Sequence, residues 1–366
     1  MAMPSEIMKT TTEREDKHPE VVSSEIMKAS AQSQSKHPKV VHLLDSVKKT
    51  AFVVGTALLV FAAARNSITW HLQQFWGASG DFWQRQWTFI YQLFGEDDVF
   101  IGIWGTLGFT TAVFWLANLL FLLIDITGKP AALIKYKIQQ DKNIPVPFPK
   151  LMKAVQQVLF NQIILGIPFS YVAYQVMQWR GCSHKAEDLP TFQWVLLEMF
   201  VFSLVEEICF YYTHRLFHHP RVYKYIHKRH HEWTAPIGLV SIYAHPVEHI
   251  LSNILPPTLG PVLMGSHLAT SWMWFGVALI STTVAHCGYH FPLIPSPEAH
   301  DFHHLKFNQN YGVLGILDRL HGTDEVFRTT KAYQRHILLL GLSPLTQQIP
   351  DDTKDKKSNI SKGKLE

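Results

Sequence analysis

Three apolar blocks in this chain are too long for an ordinary soluble core. Phe100 to Ile126 holds no charge except Asp125 near its end, Val155 to Trp179 holds none, and Leu268 to Ala285 runs 18 residues without one. Blocks of that length match the roughly 20 residues a helix needs to cross a bilayer core. Two weaker segments join them: Ala51 to Ala64 is short, and Trp194 to Tyr212 carries Glu198, Glu206 and Glu207. Only 17% of the 366 residues are charged, which fits burial in lipid better than in a soluble interior. The expected fold class is an all-α, polytopic membrane helical bundle of about four spans.

The net charge of +4 is small, so charge placement says more than the total. Lys48 and Lys49 precede the first span, and Lys129, Lys135, Lys137, Lys142, Lys150 and Lys153 lie between the second and third. Arg215, Arg221, Lys224, Lys228 and Arg229 follow Tyr212. Acidic residues mark the opposite loops: Glu96, Asp97 and Asp98 after span one, Glu187 and Asp188 after span three. The positive-inside rule then places both termini on the cytosolic side. The three cysteines, Cys182, Cys209 and Cys287, are scattered and form no Cys-x-x-Cys pair; a disulfide framework is not expected, and a reducing, cytosol-facing site fits. Residues 1–47 are polar, with no hydrophobic core of a cleavable signal peptide.

The region 1–47 reads as a disordered cytosolic tail with a direct repeat at a 19-residue offset. Ser5-Glu6-Ile7-Met8-Lys9 recurs as Ser24-Glu25-Ile26-Met27-Lys28, and Lys17-His18-Pro19 as Lys36-His37-Pro38. Residues 48–213 hold the transmembrane helices. From Ile250 to Met264 the chain is apolar but broken by Pro256, Pro257, Gly260 and Pro261. That interruption predicts a hairpin over 250–285 that dips into the membrane and returns. Residues 214–325 around it form a histidine-rich cap, and 326–366 a cytosolic C-terminal tail.

The cap is where the chemistry concentrates. Fourteen of the 21 histidines fall between His214 and His304. His214 and His218, and again His286 and His290, are four apart; His227 with His230 and His231, and His300 with His303 and His304, step by three and four. Residues at i, i+3 and i+4 share a helix face, so each group can aim its imidazoles at one point. These ten are enough to give two ions five ligands each. Neutral imidazole binds zinc, iron, copper or nickel, so spacing alone does not name the metal. A structural zinc site needs four ligands and usually includes cysteine.

The order of these motifs, with their filler residues, resembles the fatty acid hydroxylase and sterol desaturase superfamily, and most of all its C4-methylsterol oxidase branch. The segments that carry the likeness are His214-Arg-Leu-Phe-His218-His219, Tyr225-Ile-His227-Lys-Arg-His230-His231-Glu232, Tyr243-Ala-His245-Pro-Val-Glu248, His286-Cys-Gly-Tyr-His290 and His300-Asp-Phe-His303-His304. The likeness covers about residues 95–325, including Asn310-Tyr-Gly and Asp318-Arg-Leu-His-Gly-Thr-Asp324. What it implies is a non-haem di-iron oxygenase of the endoplasmic reticulum that uses O2 and draws electrons from NAD(P)H through cytochrome b5 and its reductase. It also implies that His214, His218, His227, His230, His231, His286, His290, His300, His303 and His304 are the metal ligands. His290 matches the lipid hydroxylases at a place where sterol-oxidising members often carry an acidic residue. A fatty acyl or sphingolipid hydroxylase therefore stays open beside the sterol C4-methyl oxidase, and a regulatory protein that keeps the fold without catalysis is a third reading.

Other residues carry weaker expectations. His245 and Glu248 form a His-Pro-x-Glu segment whose likeness to the family suggests a hydrogen bond between them behind the ligands; a packing element is the alternative. Glu206 and Glu207 are costly inside a span, so one of them is expected to face a substrate cavity, or else to be a buried partner of a Lys or Arg or a protonated carboxyl. His219 points about 100° away from His218 and is expected behind the ligands or at the surface. His249, His267 and His321 are expected outside the ligand set. No Gly-x-Gly-x-x-Gly and no His-Pro-Gly-Gly occurs, so electrons are expected from a separate protein, docked on Arg221, Lys224, Lys228 and Arg229. The expected substrate is a membrane lipid; nucleic acid is not an expected partner.

Overall fold

The computed structural model describes residues 38–351. The direct repeat, apart from its last residues, and the chain beyond Asp351 lie outside the described residues. The chain divides into two compact units, 1–77 and 78–366. Nearly every described element is helical, as the apolar blocks require; the one extended pairing is an isolated antiparallel bridge between Lys137 and Tyr289.

Helix α1 spans Pro38–Leu93 and α2 Asp98–Thr127. Residues 38–47, expected in a disordered tail, are thus helical. Helices α3 (Phe148–Phe160) and α4 (Gly166–Trp179) are joined by a π turn, Asn161–Leu165. Helix α5 is Phe192–Phe217, α6 Leu255–Met264, α7 Leu268–His286, α8 Glu298–Lys306 and α9 Ile316–His321. By length and composition three of them can cross a membrane: the apolar part of α1, α2 and α7. The stretch 155–179 and helix α5, two of the expected spans, fall short of the same measure. Asn161, Gln157 and Gln162 interrupt the first, and Glu198, Glu206 and Glu207 the second. Leu268–His286, expected as the returning limb of a hairpin, is itself long enough to span.

Local rules explain the boundaries. Thr191 caps α5, its hydroxyl accepting from the Trp194 amide at 3.4 Å. Helix α6 lies against α5 at Gly260, where a Cβ would come within 2.8–2.9 Å of Phe202; only glycine permits that approach. Helix α7 packs on α2 and on the turn Gly238–Ile242.

The core beneath the cap is unusual in containing loop. Trp233, Ile237, Leu239, Val240 and Tyr243 are almost wholly buried with Phe114 of α2 and Val158 of α3. A buried loop must satisfy its backbone groups without water. Asn161 does so, its Nδ2 donating to the carbonyls of Ile242 at 2.9 Å and Ala244 at 3.1 Å. Below the cap, a cavity of about 560 Å³ opens within the bundle. Each of three π turns contributes to its wall, through Gly102, Asn161 and Asn253, which agrees with the frequent placing of such turns at functional sites.

Candidate metal centre

Nine of the ten histidines converge in two groups. His214, His218, His227, His231 and His303 form one, and His230, His286, His300 and His304 the other; within each, the ligand atoms lie no more than 4.8 Å apart. In the first, the Nε2 of His227 is 3.1 Å from that of His214 and 3.0 Å from that of His231, while His218 Nε2 is 3.2 Å from those of His231 and His303. In the second, His286 Nε2 is 3.3 Å from that of His230 and 2.8 Å from that of His300, and His304 Nε2 is 3.2 Å from that of His300.

The sequence motifs do not each serve one point, as the helical register suggested. His230 and His231 go to different groups, and so do His303 and His304. Residues 227–232 form a 3-10 turn and 298–306 an α-helix. Consecutive side chains there diverge by roughly 100–120°, so adjacent histidines face opposite ways. The ring planes of His303 and His304 stand at 89°.

Nδ1 atoms show which nitrogen faces inward. The Nδ1–H donates to a backbone carbonyl from His214 (Tyr311, 2.8 Å), His230 (Tyr243, 3.2 Å), His286 (Thr282, 2.8 Å), His303 (Gln309, 2.6 Å) and His304 (Trp233, 3.1 Å). His227 Nδ1 donates to Glu248 Oε1 at 2.8 Å. A carbonyl can only accept, so in the neutral ring Nε2 keeps its lone pair and points it inward. Burial and the neighbouring imidazoles favour that neutral form: His230 is pushed down to about 4, and His303 and His304 well below the usual histidine range. Lone pairs about 3 Å apart repel one another, and a shared cation turns that repulsion into coordination. The donor set therefore fits two metal ions.

His290 lies outside both groups. Helix α7 ends at His286, and Gly288 takes φ +73°, with Pro236 O only 2.9 Å from where a Cβ would stand. The chain then pairs with the segment before α3: Ile138 N donates to Gly288 O and His290 N to Tyr136 O, each at 2.9 Å. The helical step that would bring His286 and His290 together is thus broken. His290 Nε2 instead donates to Ile337 O at 3.0 Å, and its Nδ1 is 3.6 Å from Glu298, which Arg335 holds at 3.0 Å.

His245 and Glu248 are not bonded to each other. His245 Nδ1 accepts from the Val247 amide at 3.2 Å and caps a short turn, leaving Glu248 to His227. His219 and His267 cap helix starts in the same way, accepting from Arg221 N and Ala269 N. His249 is buried at the cavity wall, and His321 stacks on Tyr211 with its Nε2 3.1 Å from the Tyr212 hydroxyl. Of the adjacent glutamates in α5, Glu206 lines the cavity and Glu207 does not. Glu207 accepts from the amides of Val313, Leu314 and Leu317 at 2.7–2.9 Å. Asp318, given no role by the sequence beyond the family likeness, accepts from Tyr311 N and Gly312 N at 2.8 and 2.6 Å. Together they fix the loop whose Tyr311 carbonyl orients His214. The fixed position of Asp318 after Asn310-Tyr-Gly was the available signal.

The cavity reaches the second group, His286 and His300 being part of its wall, along with Phe210, Thr282, Trp274 and Thr106. A further space of about 30 Å³ is bounded by members of both groups, including His214, His227, His230 and His286; it has room for one water-sized molecule.

A family model described as fatty acid hydroxylase matches residues 199–323, the stretch that contains all nine converging histidines. The chain is 53% identical over 313 residues to fatty acid hydroxylase domain-containing protein 2 of Homo sapiens, across 86% of this chain and 94% of that protein. It is 37% identical over 209 residues to the fatty acid hydroxylase ahd1 of Mycosarcoma maydis (57% and 54% covered). It is also 33% identical over 237 residues to methylsterol monooxygenase 2-2 of Arabidopsis thaliana (62% and 86% covered). No solved structure matches the chain.

Proposed function

Because the chain belongs to the fatty acid hydroxylase family, we propose that it is a membrane-bound non-haem di-iron monooxygenase that oxidises a sterol C4 methyl group in sterol biosynthesis. The observation that carries this reading is a pair of all-imidazole donor sets, one of which, through His286 and His300, forms part of the wall of a lipid-sized cavity. His214, His218, His227, His231 and His303 would hold one iron, and His230, His286, His300 and His304 the other. Iron held there supplies the redox chemistry by which O2 attacks an unactivated C–H bond.

The protein's own residues do the rest. The carbonyls of Tyr311, Tyr243, Thr282, Gln309 and Trp233 lock five imidazoles into one tautomer, so the donor set is ready before any ligand arrives. Phe210, Phe169 and Trp274 in the cavity wall exclude water and hold an apolar body against the second group. Electrons come from NAD(P)H through cytochrome b5 and its reductase, docked on the exposed Arg221, Lys224 and Lys228. Arg229 is drawn inward to Gln157 at 2.9 Å and adds less to that face. The reading places the protein in the endoplasmic reticulum membrane, with both termini and the metal centre cytosolic.

Fatty acyl or sphingolipid hydroxylation by the same centre is the second reading, favoured by the fatty acid hydroxylase among the relatives. A non-catalytic role is disfavoured, because nine converging histidines are costly to bury without a cation to bind. Expression in cells that lack C4-methylsterol oxidase, with sterol profiling, decides between them. The intact chain should lower 4-methylsterols and a His303→Ala, His304→Ala form should not. Unchanged 4-methylsterols with the intact chain would overturn the sterol reading.

A further inference from the structure

Helix α5 turns one face to the cavity. Ser203, Glu206 and Phe210 all line it, at positions i, i+3 and i+7, and His214 continues the same stripe at i+11. Among the described residues no hydrogen bond or ion pair engages the Glu206 carboxyl. Its neighbour Glu207 is saturated by three backbone amides. The two are chemically identical and adjacent, so the difference lies in what each was placed to meet. A carboxyl on an apolar wall forgoes hydration, and that cost is recovered only when a ligand supplies a donor.

Resting on the lipid-oxygenase reading above, we infer that Glu206 is a binding subsite for the hydroxyl group of an alcohol-bearing lipid and selects against free fatty acids. A carboxylate accepts a hydrogen bond from an alcohol but repels the carboxylate of a fatty acid. Eight residues separate Glu206 from His214, roughly 12 Å of helix rise. The two side chains and the bound hydroxyl take up part of that gap. Glu206 shares the cavity wall with His286 and His300, so the carbon presented to the group of four lies toward the hydroxyl end of the lipid and not at the far end of a long acyl chain. A sterol that carries its hydroxyl and its reacting methyl on one ring meets this condition.

The test is direct binding to the purified full-length protein in lipid nanodiscs, without turnover. A labelled 4-methyl-3-hydroxysterol would be competed with the same sterol unlabelled, with its 3-methyl ether, and with oleic acid. The wild type should prefer the alcohol to the ether by about 10-fold in Kd, the scale of one charge-assisted hydrogen bond. Glu206→Leu should erase that preference, weakening the alcohol while leaving the ether unchanged, and should let oleic acid compete. Glu206→Gln, which still accepts, should keep most of it. Equal binding of alcohol and ether to the wild type, or no binding of the alcohol, overturns the subsite; so does an intact preference in Glu206→Leu. Should Glu206→Leu fail to fold, oleic acid decides with Glu206→Gln: this variant still accepts but carries no charge, so it should admit oleic acid where the wild type excludes it, and equal exclusion by both overturns the subsite. A Glu206-dependent preference without loss of 4-methylsterols in the complemented cells would sink the sterol-oxidase reading and spare the subsite; rescue of those cells with no such preference would do the reverse.

Discussion

The two histidine groups use the same side chain and the same Nε2 geometry, yet they sit differently in the molecule. The group of four meets the large cavity through His286 and His300, whereas none of the group of five lines it. Five imidazoles crowd one point and four share the other. Metal sites that do chemistry keep a position open to substrate, whereas closed ones are structural. On the proposed function, substrate would approach the group of four, with the group of five behind it.

The sharpest way to break this comparison is chemical rescue. His286→Gly and His231→Gly should each remove more than about 100-fold of lipid oxidation, beyond the loss typical of partners behind the ligands. Added imidazole should restore only His286→Gly, because only that site is reached from the cavity. Equal rescue of both would show the two groups equally open. Next in size is Glu248→Gln, which leaves His227 without its carboxylate; about 10- to 100-fold in metal affinity or turnover should go, read by iron content after dialysis against chelator. Full iron retention there would mean that the carboxylate does not orient the ring.

Smaller effects belong to stability. Glu207→Ala strands three amides of the loop 313–317 and should cost about 2–3 kcal/mol, measured as a fall in the thermal midpoint in detergent. The group of five should suffer more than the group of four, since that loop carries Tyr311, the anchor of His214. His290→Ala should matter least. It removes one bond to Ile337 and a contact with Glu298, about 1 kcal/mol, and should leave two irons per chain. A drop to one iron would return His290 to the ligands.

The same contrast measures how far the sequence could be read. The apolar blocks from Phe100 and from Leu268 specify helices because lipid or a dry core leaves their backbone no other partner, and both are found. His214 with His218 and His300 with His303 and His304 lie on helices or their ends, so spacing brings them near the centre. Spacing failed at His290, where helix α7 had already ended and Gly288 and a backbone bridge redirect the chain. Neither feature has a periodic signal. The ring anchors were equally hidden, because five of them are main-chain carbonyls whose identity carries no trace in the side chain. Glu206 and Glu207 look alike in sequence, and only the packing of α5 separates one that faces the cavity from one that staples a loop.

The partition of adjacent histidines has a mechanical consequence. His230 and His231 serve different groups, as do His303 and His304, and in each pair the two α-carbons are one trans peptide apart, about 3.8 Å. Covalent geometry therefore acts as a ruler between the two sites, held at two places on separate segments. Thermal breathing of the bundle can shift the pair together but cannot easily stretch the gap. A single inserted glycine between His303 and His304 would change that gauge while keeping every ligand in the chain.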